Sequence, residues 1–182
     1  MKTKNDRTAF RKLHEYLRRS EIFKPGTGAS GSHSQEWSGV TFRLRDARLA
    51  CNIEKIQEIL PLPAATPVPG AKPWILGLAN VRGNLMTVID LAWYLEGTQS
   101  QLTPRSRLLS TGSQKSPVGL LIDEVFGQRH FLSSDADDVA LPEHSALRPL
   151  VRRQHRLGTE SWQEFDLDQL FRTPEFLNGA AT

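Results

Sequence analysis

Five histidines, one cysteine and a few carboxylates are the groups in this chain that could do chemistry, and their spacing limits what chemistry that is. His14, His33, His130, His144 and His155 include no pair at i, i+2 or i, i+4, so no short element can turn two imidazoles toward one metal ion, and no metal is expected. Cys51 alternates with Leu49 and Ile53, which puts the thiol on an inward strand face. With no neighbour to lower its pKa, it is expected to be a small buried apolar side chain rather than a nucleophile. Ser32 and Ser34 flank His33 inside a Gly/Ser-rich stretch that could not hold a nucleophile and base in register, so no catalytic triad is proposed. The run SSDADD, with Asp135, Asp137 and Asp138, lacks the spacing and terminal Glu of a calcium loop and is expected to be a solvated acidic loop. Neither GxxxxGK[ST] nor a strand-linked GxGxxG occurs, so no nucleotide cofactor is expected. Two charges remain. Glu58 lies between Ile56 and Ile59, and Arg82 stands at the tip of a Val-Arg-Gly turn, both in apolar sequence. Such charges are expected to pair, partly buried, either as a structural tie or as part of a docking surface.

The elements that must position these groups are mostly strands. Val40, Phe42 and Leu44 alternate with polar residues, and after a turn at Asp46-Ala47 so do Leu49, Cys51 and Ile53, which predicts a hairpin. Prolines at 61, 63, 67, 69 and 73 predict an extended edge segment. Trp74–Val81 and Leu85–Leu91 form a second hairpin around Arg82-Gly83-Asn84, with Gly83 supplying the unusual dihedrals of a tight reversal. Asp90 can cap a short helix ending at Gly97. Further strands are predicted at 106–110, 118–122, 128–131, 149–153 and 162–165, followed by a short helix over 166–171. Short strands every eight to twelve residues point to small barrels or a sandwich, and away from an α/β enzyme.

Two segments flank this core. Phe10, Leu13 and Leu17 recur at helical spacing, which predicts an amphipathic helix over 7–21 joined by a flexible Gly/Ser linker to a domain that begins at 36. Residues 36–172 form that domain and 173–182 a tail. The net charge of +3 belongs to the leading segment: residues 1–24 carry eight Lys or Arg against three Asp or Glu, so the rest is slightly acidic. The chain has no spanning run and no apolar stretch after its first basic residues, so it is expected to be cytoplasmic and not inserted in a membrane. A pI near 9.2, with sixteen Arg against seven Lys, leaves a small-barrel nucleic-acid binder as the alternative.

WILGLANVRGNLMTVIDL resembles the central signature of the CheW family of chemotaxis coupling proteins. WSGVTFRLRDARLACNIEKIQEIL resembles that family's opening strands, SPVGLLIDEVFG its second-half element, and SWQEFDLDQLF its closing strand and helix. The four stretches follow in order over roughly 36–172. The Trp before the first strand, the proline-rich link and the N-terminal extension resemble the branch that serves type IV pilus twitching motility. Thr87 stands where the family usually has Pro, a change expected to leave the fold intact.

The resemblance implies an all-β fold of two intertwined five-stranded barrels and a non-enzymatic adaptor without cofactor. Such an adaptor couples the cytoplasmic tip of a methyl-accepting chemoreceptor to the regulatory domain of a CheA-type histidine kinase, at the inner membrane through receptor arrays and without binding nucleic acid. It further implies that Ile53, Ile56, Leu78 and Val81 contribute to apolar contact surfaces, in competition with core packing, and that Glu58, Arg82 and Gly83 shape one such surface.

Overall fold

The computed structural model describes residues 36–113, 116–139 and 141–176. The helix expected over 7–21 and its linker lie outside the described residues. Strands β1 (Glu36–Leu44) and β2 (Ala47–Asn52) form the first hairpin. The chain then leaves for β3 (Glu58–Leu60), β4 (Ile75–Val81), β5 (Asn84–Asp90), β6 (Arg107–Ser113) and β7 (Ser116–Ile122), and returns for β8 (Glu124–Leu132), β9 (Ala136–Asp137), β10 (Val151–Leu157) and β11 (Glu160–Phe165). Helices α1 (Leu91–Glu96) and α2 (Leu167–Arg172) follow β5 and β11.

The strands build two sheets, ordered β8-β1-β2-β11-β10-β9 (sheet A) and β3-β6-β7-β5-β4 (sheet B). Sheet B is an unbroken stretch of sequence inserted between β2 and β8, so the chain crosses between sheets twice. The two sheets repeat one plan. In each, the third and fourth strands in order, β2 with β11 and β7 with β5, are the parallel pair, and all other neighbours are antiparallel. In each, the hairpin that ends in the fourth strand runs into a helix capped by Asp. Asp90 accepts from Trp93 N at 3.0 Å, and Asp166 accepts from Gln169 N at 3.0 Å. Both caps satisfy helix donors that would otherwise be unpaired. Sheet A departs from the expected five strands only by the two-residue β9.

Burial shows why period-two alternation is partly hidden. Val40, Phe42, Leu49, Cys51, Ile89, Leu109, Leu120 and Phe165 share a large core between the sheets. The opposite faces fill smaller cores: Ala79, Met86, Val88, Leu108 and Leu121 within sheet B, and Ala50, Phe131 and Trp162 within sheet A. Strands such as β7 are therefore buried on both faces and read as continuous apolar runs. Gly119 is needed there, since a Cβ would lie 2.4 Å from Leu108 Cδ2 and 2.8 Å from Met86 Sδ.

Some expected boundaries move. β2 ends at Asn52 because its carboxamide accepts from Glu54 N at 2.9 Å and starts a 3-10 turn at Ile53–Lys55. Ile53 is thus outside the strand in which alternation placed it. The expected acidic loop contains a 3-10 turn at Ser133–Asp135 and β9. The core also reaches past residue 172: Phe176 is buried against Tyr94 and Phe171.

Candidate functional site

The edge strands of sheet B, β3 and β4, are far apart in sheet order, yet the turn that ends β4 reaches β3: Arg82 Nη2 lies 2.6 Å from Glu58 Oε1. The turn that presents Arg82 is a two-residue loop between the paired residues Val81 and Asn84, with Arg82 at φ 51° and Gly83 at φ 86°. Two positive φ values in succession are those of the hairpin turn that matches strand twist. Asn80 Oδ1 accepts from Gly83 N at 2.9 Å and steadies it. A cleft of about 470 Å³ opens beside the pair, with Val81, Met86, Ser110 and Pro117 in its lining. The pair expected from the sequence therefore forms, with burial on one side only: Glu58 is half-buried at 32% exposure, whereas the Arg82 side chain is 79% exposed. Solvent screening makes such a contact worth only about 0.2–1 kcal/mol.

The four apolar candidates do not share one surface. Ile53 and Ile56 are half-buried against the core between the sheets, and Val81 is half-buried against the sheet B core. Leu78 is half-buried on β4, where its backbone exchanges two 2.8 Å hydrogen bonds with Thr66. This bridge lays the proline-rich segment along the β4 edge, as its composition predicted.

A surface not singled out from the sequence is larger. The core between the sheets continues outward at one end into a groove of about 810 Å³, lined by Leu85, Thr87, Val118, Leu167, Phe171 and Phe176 among others. Leu85 and Thr87 extend the face of β5 that carries Ile89 in the core, and Thr87 pairs in register with Val118. The strand outruns the core, and Leu85 is left 66% exposed. The signal available in the sequence was this continuation of one apolar face to the hairpin tip.

The repeated plan of the sheets gives this groove a counterpart, at the tip of the β1–β2 hairpin beside α1, and there the space is closed. Arg45, at φ 54° in the turn, donates from Nη2 to the carbonyls of Thr98 at 2.5 Å and Gln99 at 3.0 Å, and its Nε lies 3.5 Å from Glu96. Asp123, on the crossover from β7 to β8, accepts from Arg45 N at 2.5 Å. On the opposite face of β2 Arg48 meets Glu160 at 2.6 Å and lies over the rings of Phe126 and Trp162. One corner is stapled by Arg45; the other is open and apolar.

Cys51 and His155 are engaged in packing, while His130 and His144 are exposed. Cys51 is fully buried, and burial pushes its thiol up to about 12. His155 is buried among Trp37 and Phe131, with Nε2 3.1 Å from Glu164 Oε2. It borders a polar cleft of about 450 Å³ where Arg152 pairs with Asp166 and Lys55 with Asp168. Among the described residues no three His, Cys, Asp or Glu are grouped to hold a metal ion. Among the described residues most arginines are ion-paired: Arg43, Arg45, Arg48, Arg105, Arg129, Arg152 and Arg156 each contact a carboxylate. The arrangement is suited to binding apolar and β surfaces.

Comparison with known families decides what kind of protein this is, because the profile of the CheW-like domain matches residues 38–175. The chain belongs to the CheW-like family. Protein PilI of Pseudomonas aeruginosa is 32% identical over 174 residues, 95% of this chain and 97% of that protein. Protein FrzA of Myxococcus xanthus is 31% identical over 94 residues, 52% of this chain and 59% of its own length. The crystal structure of TtCheW, a scaffolding protein from Thermoanaerobacter tengcongensis, matches with a TM-score of 0.66 over 77% of this chain and 95% of that one, at 18% identity, a likeness of fold. Within the CheW-like domain, the open groove and the Glu58–Arg82 cleft are adjacent: Gln57 and Pro117 line both.

Proposed function

We propose that this chain is a non-enzymatic coupling adaptor, holding the cytoplasmic tip of a methyl-accepting chemoreceptor against the regulatory domain of a CheA-type histidine kinase in control of type IV pilus twitching motility. The observation that carries the proposal is the open corner between the sheets, an apolar groove with Leu85 at its rim that suits the apolar stripe of a receptor helix. The cleft at Glu58, Val81 and Arg82, with Gly83 in the turn that presents Arg82, is the second surface, for barrel-to-barrel contact with the kinase. Because the two share Gln57 and Pro117, bound receptor and kinase would meet along the β6–β7 hairpin. The similarity to PilI over nearly the whole of both chains supports the pilus assignment. No helix of the described residues is long and apolar enough to cross a membrane, so in this proposal the receptor brings the adaptor to the inner membrane. Residues 36–176 carry the coupling, since Phe176 lines the groove, and residues 1–35 are a separable extension.

The test is a pull-down of the co-encoded receptor and kinase by the full chain and two variants. Leu85→Glu places a charge where a helix would bury most of a leucine, a loss of about 1–2 kcal/mol before the cost of burying the charge. It should lose the receptor and keep the kinase. Arg82→Glu should do the reverse. Folded variants that retain both partners, or lose both together, overturn the two-surface assignment.

A further inference from the structure

We propose that the open groove selects a partner helix carrying Lys or Arg beside its apolar stripe, and that Glu54 is the residue that makes the selection. The inference rests on the coupling role above and adds to it a chemical requirement on the partner.

Three charged side chains line the groove among the described residues: Glu54, Lys55 and Asp168. Lys55 Nζ lies 2.9 Å from Asp168 Oδ1, so these two neutralise each other. The Glu54 carboxylate has no ion-pair or hydrogen-bond partner among the described residues, and the three groups together carry one net negative charge. Its backbone is fixed from three directions. Asn52 Oδ1 accepts from Glu54 N at 2.9 Å, Ile53 O accepts from Ile56 N at 3.0 Å, and Lys55 O accepts from Thr111 Oγ1 of sheet B at 2.8 Å. The carboxylate is thus held on a pinned turn at the wall of an apolar groove.

A helix that covers the groove strips water from this carboxylate. A basic side chain on the helix flank replaces the lost hydration with an ion pair; a neutral flank leaves the charge uncompensated, and an acidic one adds repulsion. Attraction toward one helix and penalty toward the other act in the same direction, so the discrimination exceeds that of a lone exposed pair. The positive charge of the chain belongs to residues 1–24, and the remainder is slightly acidic, a background that favours basic ligands only weakly and without regard to position. Selection at one flank of the groove is therefore read from the Glu54 variants, which change the local charge.

The experiment uses the full chain and two labelled helical peptides with the same leucine stripe, one flanked by Lys and the other by Glu, with binding followed by fluorescence anisotropy at two salt concentrations. The wild type is expected to bind the Lys-flanked peptide roughly five- to tenfold more tightly, less so at higher salt. Glu54→Gln should erase the preference and Glu54→Lys reverse it, with unchanged melting temperatures since Glu54 is exposed, and Leu85→Glu should weaken both peptides. If both peptides bind through Leu85 but Glu54→Lys leaves their ratio unchanged, the selection by Glu54 is wrong and the coupling role stands. If neither peptide binds the wild type, both fall.

Discussion

Reversing the charge at Arg82 should change partner binding far more than stability, and the geometry says by how much. The ion pair with Glu58 is short, but Arg82 is 79% exposed, so breaking it should cost about 0.2–1 kcal/mol rather than the 3–5 kcal/mol of a buried pair with one partner removed. For a domain of this size about 1 kcal/mol shifts the melting temperature by roughly 2–4 °C, so Arg82→Glu should melt within a few degrees of wild type. Arg82→Gly sharpens the test. At φ 51° a side chain costs about 1 kcal/mol that glycine avoids, so this variant loses the pair and relieves the strain, and should melt at or above the wild-type temperature. The doubly exchanged Glu58→Arg/Arg82→Glu protein completes a cycle whose coupling energy, measured by urea unfolding, should be below about 1 kcal/mol. A loss above about 3 kcal/mol in Arg82→Glu, or a melting temperature for Arg82→Gly well below wild type, would refute the assignment of this pair to the surface.

Three further outcomes follow from the packing. Gly119→Ala forces a methyl group onto Leu108 and Met86 and should destabilise by about 1–3 kcal/mol in chemical denaturation; a neutral result would mean that β7 shifts freely. Arg45→Ala removes the contacts to Thr98, Gln99 and Glu96 and should cost about 1–2 kcal/mol, with faster amide exchange in the loop after α1 as the local sign. The Cys51 thiol, pushed up to about 12 from an ordinary 9.0, should resist a thiol reagent at pH 8 until the protein unfolds. Because only the unfolded chain releases that proton between pH 9 and 12, the thiol's contribution to stability should be intact below pH 9 and fall by up to about 1.4 kcal/mol per pH unit above it.

What the sequence revealed was what neighbours in the chain decide. Both early hairpins, the Asp90 cap and Gly97 stop of α1, and the inward Cys51 follow from alternation and local hydrogen bonding. What stayed hidden depends on distant contacts. β3 is three residues long and is a strand only because Glu58–Leu60 pairs with Leu108–Ser110. The parallel contact of β2 with β11 rests on two residue pairs more than a hundred positions apart. The two-barrel plan came from resemblance, not from periodicity. Ile53 and Ile56, expected either at a contact surface or in core packing, are half-buried against the core between the sheets; Leu85 and Glu54 in the groove carry no such signal, because exposure is invisible in a strand pattern and a lone surface Glu has no sequence signature.

The uninterrupted insertion of sheet B into sheet A bears on how the chain emerges from the ribosome. β1 and β2 are made first, but their sheet partners begin with β8, about 70 residues after β2 ends. At 5–20 residues per second the hairpin waits roughly 4–14 s with the outer backbone edge of β1 unpaired, and longer for the β2 edge, which pairs with β11. Sheet B, drawn from one contiguous stretch, needs no strand from outside it and can pair as soon as β7 is out. Nascent chains arrested far enough past Ile122 for β7 to have left the ribosome should therefore hold a protected sheet B and an unfinished hairpin open to chaperones, and a chain released with its end at Ile122 would be prone to aggregate through β1 and β2.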